Sequence, residues 1–587
     1  MTAVPAAPGA VRQGEIGACP EVQTQSLAVV SDVNLANLGT LLRREGDHGR
    51  PAVHPRLLPF GEVVRPLLTE KPEAEGEGLF LWFRPESVIS EFHALLQGRP
   101  SDPVKLDREM DDFLEILEQA RGRFAFTLMA SWTRPAWHRG LGLLDMDPVQ
   151  GVAGTLLRLN LRLAERLGSS QGAFLLDANS WLAAGDPSEA ARMWYLTKTP
   201  FSRGTLNAVA DDVRAAIAGI RGFARKVVVV DLDDTLWGGI LGDVGVRGLR
   251  LGGHDPIGEA YVDFQRSLKE LTHRGVILAV VSKNDESTAL EAMRSHPEMV
   301  IGPDDLAAWR INWRDKARNV AELAAELNLG LDSFVFIDDN PSERGRVREA
   351  LPEVLVPEWP EDPLRFVATL QSMRHFDQPS LSLEDRNRAG MYVAERQRKT
   401  AKASVGSLDD WLRSLDIRVI AEPLGPSNLP RAAQLLNKTN QMNLTTRRLS
   451  QAELEAWASE PGNSVWTLRV EDRFGDYGLT GILSLVCGEE AEETQGKARI
   501  LDFILSCRVF GRQVEETMVH LAATFAHAAG ARQLVAELVP TEKNKPCRTF
   551  FRERSGFKAL SDTTFELNLG NPLAAPDWVT LVVESAE

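Results

Sequence analysis

The chain has 587 residues and a formal net charge of −16, because 82 acidic residues outnumber 66 basic ones. Its length predicts about three or four domains. Its acidity argues against nucleic-acid binding, which needs clustered Lys and Arg, and the lack of any apolar run of about 18 residues argues against a membrane span.

The cysteines and the first residues bear on where the protein works. Residues 1–24 lack a basic start and an apolar core, so we expect a disordered tail rather than a signal peptide. The four cysteines fit neither a disulfide framework nor a zinc site, which favours a reducing cytoplasm. They are Cys19, Cys487, Cys507 and Cys547.

Residues 25–222 alternate short apolar runs with helical patterns. This rhythm predicts a doubly wound α/β unit with a parallel sheet. The apolar runs lie at 26–30, 79–83, 124–130 and 173–178, and helical spacing is clearest at 106–120 and 149–167.

The segment VVVVDLDDTLWGG, residues 227–239, joins a Val run to a pair of closely spaced carboxylates. The run predicts a strand buried on both faces of a parallel sheet. Asp231 and Asp233 follow its carboxyl end, where active sites of open α/β sheets lie. Their repulsion would be relieved by a hard cation such as Mg²⁺. The alternative is an Asp-rich loop that caps a helix.

Three later segments add polar residues at comparable positions. Residues 311–320 place Lys316 at a predicted helix start, and residues 332–344 form a buried strand that ends in Asp338 and Asp339. A Val-rich strand at 276–285 ends in the polar residues Ser282, Lys283 and Asn284. About 40 residues separate the strand that precedes Asp231 from the Val-rich strand at 276–285. This spacing leaves no room for a large cap domain between them.

The remaining sequence predicts a linker and a third unit. The charge-dense segment 376–405 predicts an exposed helix between a second unit, 223–375, and an α+β unit, 406–587. In the third unit a strand, 498–507, runs into a helix, 508–530.

The second unit resembles the haloacid dehalogenase (HAD) superfamily of phosphoryl-transfer enzymes. Its four motifs are matched in order by DxDxT at 231–235, Ser282, Lys316 and the Asp pair 338–339. The resemblance implies a Rossmann-like fold, with Asp231 as nucleophile and Asp233 as general acid/base. Thr235 and Ser282 would bind phosphoryl oxygens, with Lys283 and Asn284 beside them, and Lys316 would offset the charge of the aspartyl-phosphate.

The same resemblance implies a Mg²⁺ site. Asp231, the backbone carbonyl of Asp233, and either Asp338 or Asp339 would hold the ion. Carboxylate and carbonyl oxygens are the ligands that this hard cation prefers.

A narrower resemblance is to the FkbH-like proteins, over roughly residues 190–560. The matching words are DLDDTLWGG, SKND, NWRDKARN, FIDDNPSER, NKTNQMNLTTRR (437–448), LSCRVFGR (505–512) and PTEKNKP (540–546). That family transfers a glyceryl unit from 1,3-bisphosphoglycerate to an acyl carrier protein in polyketide pathways. The rival hypotheses are a small-molecule phosphatase and a non-catalytic scaffold that docks a carrier protein.

The outer units resemble two further folds. In FkbH-like chains the first unit is similar to an SGNH hydrolase, but here Ser31 lacks the GDS word and Asp177 is followed by Ser180 without the expected His. We therefore expect a docking or scaffold domain. The third unit resembles a GNAT acetyltransferase, and its loop with Arg508 and Gly511 could cradle a phosphate of CoA or of a carrier's phosphopantetheine arm. The alternative is a helix start that simply packs on a sheet.

Cys507 is the candidate acyl nucleophile. It lies next to Arg508 at a helix start, where a thiol is expected to have a lowered pKa. The alternative is a small buried apolar residue. Some FkbH-like proteins have Cys where this chain has Leu232, so the glyceryl unit would pass to Cys507 or directly to the carrier thiol. Cys487 and Cys547 are weaker candidates.

Overall fold

The computed structural model describes most of the chain, namely residues 24–44, 51–135, 138–168, 170, 172–381, 383–403, 407–439, 441–487, 496–541, 544–570 and 574–584. The contacts divide the chain into two compact units. The first takes the chain up to Val228 together with Lys316–Leu381, and the second takes Val229–Asp315 together with the chain from Ser382 onwards. Of the helices described, none has the length and apolarity needed to cross a bilayer.

The first sheet of the first unit is parallel throughout, in the order β2-β1-β3-β4-β5. Its strands are β1 (Thr24–Val30), β2 (Ala52–Leu57), β3 (Gly78–Leu81), β4 (Thr127–Ala130) and β5 (Ala173–Leu176). Its helices are α1 (Ala36–Leu42), α2 (Val64–Thr69), α3 (Ser90–Leu96), α4 (Pro103–Arg121), α5 (Val152–Gly168), α6 (Ala178–Ala183), α7 (Pro187–Thr197) and α8 (Arg203–Ile220).

This sheet is covered on both faces. Leu27 and Val29 of β1 pack in one hydrophobic cluster, whereas Ala28 and Val30 pack in another. Successive side chains of a strand point to opposite faces, so two clusters require two covered faces. The predicted parallel sheet is confirmed.

The second sheet has the order β8-β7-β6-β9. Its strands are β6 (Val227–Val230), β7 (Ile277–Ser282), β8 (Ala308–Ile311) and β9 (Phe334–Ile337), and every residue of β6, β7 and β9 is buried. The helices of this part of the chain are α9 (Leu241–Val244), α10 (Pro256–His273), α11 (Glu286–Ser295), α12 (Lys316–Leu327), α13 (Pro341–Ala350) and α14 (Phe366–Ser372). The strands predicted here are confirmed, and α12 begins at Lys316 as expected.

The connection between β6 and β7 is short and fully described. Residues 231–276 form α9, the 3-10 helix Val246–Gly248 and α10. A domain-sized insertion does not fit within these residues, in agreement with the prediction from spacing.

The third sheet is mixed, in the order β16-β17-β15-β14-β13-β12-β10-β18, with β11 paired to β14. The strands are β10 (Ile417–Pro423), β11 (Met442–Asn443), β12 (Asn463–Asp472), β13 (Gly475–Cys487), β14 (Lys497–Leu505), β15 (Gln533–Glu537), β16 (Lys558–Ala559), β17 (Thr564–Asn568) and β18 (Val579–Val583). The helices are α15 (Leu383–Ala403), α16 (Leu408–Ser414), α17 (Leu429–Lys438), α18 (Gln451–Ala458), α19 (Val514–Ala528) and α20 (Lys545–Glu553). The predicted strand at 498–507 and the helix that follows correspond to β14 and α19.

Helix α15 differs from the exposed linker that its charge density predicts. Arg396 donates from Nη1 to the Pro303 carbonyl at 2.6 Å, and its guanidinium lies 4.6 Å from the Trp309 ring centroid. Arg398 donates to both carboxylate oxygens of Asp472, at 2.7 and 2.8 Å, and both side chains are buried. Two of the charges of α15 are therefore engaged in internal contacts, one of them a buried ion pair.

Candidate active site

The DLDDTLWGG turn holds its first carboxylate at the end of β6. Asp231 follows the buried Val run directly and is itself buried, as is Thr235. The turn is tight: Asp234 has a φ of 52°, and its Oδ1 accepts the Gly239 N–H at 2.7 Å. Positive φ is uncommon for a residue other than Gly, and Asp tolerates it better than most. The strained turn fixes the two motif carboxylates relative to the strand.

Asp233 is held by three hydrogen-bond donors. Its Oδ1 accepts from Trp237 Nε1 at 2.9 Å and from the Leu241 N–H at 3.1 Å, and its Oδ2 accepts from Asn284 Nδ2 at 2.9 Å. Burial raises the pKa of the Asp233 carboxyl, and the nearby charge of Asp231 adds to this, against the opposing hydrogen bonds. An oriented carboxyl with a raised pKa suits general acid/base chemistry.

Two of these donors were not assigned this role from the sequence. Asn284 was expected to contact substrate, and the structure instead places its amide on Asp233. The matched motifs do not indicate a role for Trp237, although its position four residues after Asp233 in the same turn is a signal that could have indicated it.

Lys316 and Asp338 form a buried ion pair. Lys316 Nζ lies 2.6 Å from Asp338 Oδ2, and the two side chains are 4% and 0% exposed. Asp338 also accepts the Asn340 N–H on Oδ1 at 2.9 Å. Arg344 donates from Nη1 to the carbonyls of Asp338 and Asp339, at 2.8 and 2.6 Å. Arg344 and Asn340 thus hold the Asp pair after β9, which the sequence alone did not indicate.

Three carboxylates form a candidate metal centre. Ligand oxygens of Asp231, Asp338 and Asp339 all lie within 4.8 Å of one another, with the first two residues buried and the third half-buried. Like charges this close are unfavourable without compensation, and an all-oxygen set suits a hard divalent cation such as Mg²⁺. Both members of the Asp pair belong to the cluster, whereas the carboxylate of Asp233 is not among these three ligands.

The remaining predicted phosphate contacts lie near the end of β7. Ser282 is the last residue of β7 and is buried, and its carbonyl accepts the Asn312 N–H at 3.0 Å. Lys283 follows at an exposed position.

The candidate residues of the third sheet are arranged differently from the predicted cradle. The Gly511 N–H donates to Oε1 of Glu515 at 2.8 Å. Arg508 donates from Nε to Ser506 Oγ at 3.2 Å. Cys507 begins the 3-10 helix Cys507–Val509, and its side chain lies outside what the structure describes.

Neither described thiol is activated. Cys547 is fully buried, and burial raises its pKa to about 12. Burial likewise raises the pKa of the half-buried Cys487. Cys19 and the predicted tail, apart from Thr24 at the start of β1, lie outside the described residues.

In the first unit the hydrolase positions have local structural contacts. Ser31 Oγ accepts the Val33 N–H at 3.2 Å. Asp177 caps α6 by accepting the Asn179 N–H at 3.0 Å, and Ser180 Oγ donates to the Asp177 carbonyl at 2.7 Å.

Comparison with known proteins gives similarities to solved structures. Neither a family model nor a curated protein sequence matches the chain. Among solved structures it is similar to the N-terminal part of the protein BF1531 from Bacteroides fragilis, which contains a phosphatase domain and was crystallised with Mg. The identity is 26%, the match covers 61% of this chain and 95% of that one, and the TM-score is 0.54.

Two acetyltransferase structures match at much lower scores. An N-acetyltransferase from Staphylococcus aureus is 13% identical, covers 26% of this chain and 98% of its own, and has a TM-score of 0.21. The GNAT domain of a protein from S. lividans is 16% identical, covers 25% and 89%, and has a TM-score of 0.20.

Proposed function

We propose that this protein is a Mg²⁺-dependent phosphoryl-transfer enzyme of the HAD type. The observation that carries the proposal is the cluster of Asp231, Asp338 and Asp339 at strand ends, with a buried lysine on one of its members. The similarity to a structure that contains a phosphatase domain in complex with Mg supports it.

Asp231 is the nucleophile of the proposed mechanism. Its carboxylate oxygen forms a bond to phosphorus while the bond from phosphorus to the leaving oxygen breaks. The protonated carboxyl of Asp233 gives its proton to that leaving oxygen. Asp233, now ionised, then takes a proton from the water that attacks the aspartyl-phosphate, which releases inorganic phosphate and restores both residues.

The other residues orient and stabilise. Trp237, Leu241 and Asn284 hold the Asp233 carboxyl through their hydrogen bonds. Lys316 places a positive charge beside the cluster. When bound by the three carboxylates, Mg²⁺ would offset the charge that spreads over the phosphoryl oxygens.

The finer proposal names the substrates. Sequence words of the FkbH-like type suggest that the acyl phosphate of 1,3-bisphosphoglycerate supplies a glyceryl unit to the phosphopantetheine thiol of an acyl carrier protein. The thiolate attacks the acyl carbon and inorganic phosphate leaves, either directly or through Cys507, and the Asp231 site removes the second phosphate. The short connection between β6 and β7 supports a macromolecular substrate, since it holds no cap domain over the strand ends.

An intact-mass experiment tests this function. The enzyme is incubated with 1,3-bisphosphoglycerate, Mg²⁺ and a phosphopantetheinylated carrier protein, with the unmodified carrier as control. We expect a glyceryl adduct on the modified carrier only. Asp231→Asn should still release the acyl phosphate during loading, lose release of the second, ester phosphate by several orders of magnitude, and leave a phosphoglyceryl adduct.

The possible outcomes separate the rival hypotheses. Phosphate release from small esters without any carrier adduct would favour a small-molecule phosphatase. Carrier binding without turnover would favour a scaffold. Full phosphate release by the Asp231→Asn variant would contradict the HAD mechanism itself.

A further inference from the structure

The loop between β14 and α19, residues 506–513, has the conformation of an anion-binding turn. Gly511 has a φ of 69° and Gln513 a φ of 63°, and α19 begins immediately afterwards. Backbone N–H groups at such a helix start point outwards and attract negative charge. The position they create is already taken, because the Gly511 N–H donates to Oε1 of Glu515 from the first turn of α19.

Glu515 lies there without the usual partner of a buried carboxylate. The residue is 2% exposed, and its Oε2 makes no hydrogen bond within the described part of the chain. Two nearby cations pair with other carboxylates. Arg512 Nη2 lies 3.1 Å from Glu395, and Arg554 Nη2 lies 2.6 Å from Glu516. A buried carboxylate without a salt bridge is costly, so the loop N–H and the helix start are what stabilise it.

The strand that leads into this loop is also occupied by the chain. Met442 and Asn443 of β11 pair with Leu505 and Ile504 of β14. Asn544 locks this arrangement, donating from Nδ2 to the Asn443 carbonyl at 3.0 Å. An amide-bearing ligand therefore finds this stretch of the β14 edge already paired. The residues involved belong to the sequence words at 437–448 and 540–546, which the phosphoryl chemistry does not use.

We infer that the chain itself blocks binding of a CoA-type cofactor at the third sheet. The carboxylate of Glu515 occupies the position that a phosphate of the cofactor would need, and β11 occupies the strand edge that its amide groups would need. A phosphopantetheine arm carries these two groups, amides along its length and a phosphate at its end. The phosphate cradle expected from Arg508 and Gly511 does not fit CoA, because the Gly511 N–H already donates to the carboxylate of Glu515. This region does not act as a CoA-dependent acyltransferase through the α19 start.

The test uses the full chain in EDTA, with inorganic pyrophosphate and CoA as separate probes. Calorimetry measures binding, and amide hydrogen exchange of peptides that cover 508–515 localises it. Wild type is expected to show neither saturable binding nor protection there. Glu515→Ala should bind pyrophosphate saturably, at least about tenfold more tightly than the weakest affinity that the wild-type titration would have detected, since one charge-assisted hydrogen bond becomes available, with new protection at 508–515.

The matched control is Glu516→Ala, which removes the adjacent carboxylate of the same helical turn and should gain nothing. Protection of 508–515 by CoA in wild type would overturn the inference, and this measurement needs no variant. A folded Glu515→Ala protein with no gain would overturn it too. Circular dichroism reports the folding of every protein. Phosphate release at the Asp231 site, assayed separately with Mg²⁺, is expected to be unchanged in every protein, so the inference and the proposed phosphatase function fail independently.

Discussion

At the scale of single residues, two carboxylates separated by a single residue lie in different environments. Asp231 joins a cluster of acidic groups suited to a cation, whereas Asp233 collects three neutral donors. The donors fix the direction of the Asp233 carboxyl, and burial keeps its pKa raised. In the proposed mechanism this turn supplies both the nucleophile, Asp231, and the carboxyl that carries the proton, Asp233.

Removing the indole donor should slow the proton transfers. Trp237→Phe deletes the 2.9 Å hydrogen bond to Asp233 and keeps an aromatic ring. A lost hydrogen bond to a charged group is worth about 1.5–3 kcal/mol, so kcat for phosphate release should fall roughly tenfold to a hundredfold, with little change in KM. Steady-state kinetics on the folded fraction measure it.

Trp309→Phe is the matched control for that variant. Its Nε1 also donates to a carboxylate at 2.9 Å, that of Glu286, which belongs to α11 rather than to the motif turn. We expect an unchanged kcat. Equal losses in the two variants would show that the hydrogen bond to Asp233 has no special role.

At the scale of elements, α15 depends on charges that are buried in pairs. Arg398→Met removes the guanidinium from Asp472, a side chain that is 1% exposed. Breaking a buried pair leaves a buried charge with less compensation, although Arg512 Nη1 still lies 3.7 Å from Asp472 Oδ2. The free energy of unfolding should therefore fall by at most about 3–5 kcal/mol. Denaturant titration followed by circular dichroism measures the loss.

Arg418→Met is the comparison on the same sheet. Its partner is Glu471 at 3.1 Å, and both side chains are substantially exposed. Exposed pairs contribute about 0–1 kcal/mol, and a similar loss for both variants would contradict the structural role of α15.

The elements also show what sequence patterns can and cannot predict. Apolar runs predicted β1, β3, β4, β6, β7 and β9, because strands buried on both faces need them. β2 was not predicted, because His54, Pro55 and Arg56 interrupt any apolar run in it. It lies at a sheet edge, where Pro and charged residues are tolerated.

The site was predictable to the extent that it depends on strand ends. Asp231 and Asp338 follow buried strands, and parallel strands bring such residues to one edge. The hydrogen bonds of Trp237 and Asn284 to Asp233 were not predictable, since they depend on a tight turn and on side-chain directions. The same holds for Glu515, whose contact with Gly511 closes a loop that the motif alone would leave open.

At the scale of the whole molecule, the acidic cluster should link metal binding to stability. Mg²⁺ at about 100 times its Kd should stabilise the folded protein by about 2.7 kcal/mol, which raises the melting temperature by a few degrees. EDTA should reverse this. Asp339→Asn should retain the fold and lose most of the shift, because it removes one of the three carboxylates.

Asp243→Asn, at an exposed position in α9, should respond to Mg²⁺ like wild type. Scanning calorimetry with and without the ion gives the comparison. An undiminished response of Asp339→Asn would place the stabilising ion elsewhere.

The attachments of α15 bear on how such a chain can be recombined during evolution. Arg396 of this helix contacts Pro303 and Trp309. Arg398 forms an ion pair with Asp472. A crossover within 383–395 would separate Arg396 from Pro303 and Trp309, and one within 399–403 would separate Arg398 from Asp472. Viable hybrids between related genes should therefore inherit α15 together with the segments around 303–309 and 472, even though these lie far apart in the DNA.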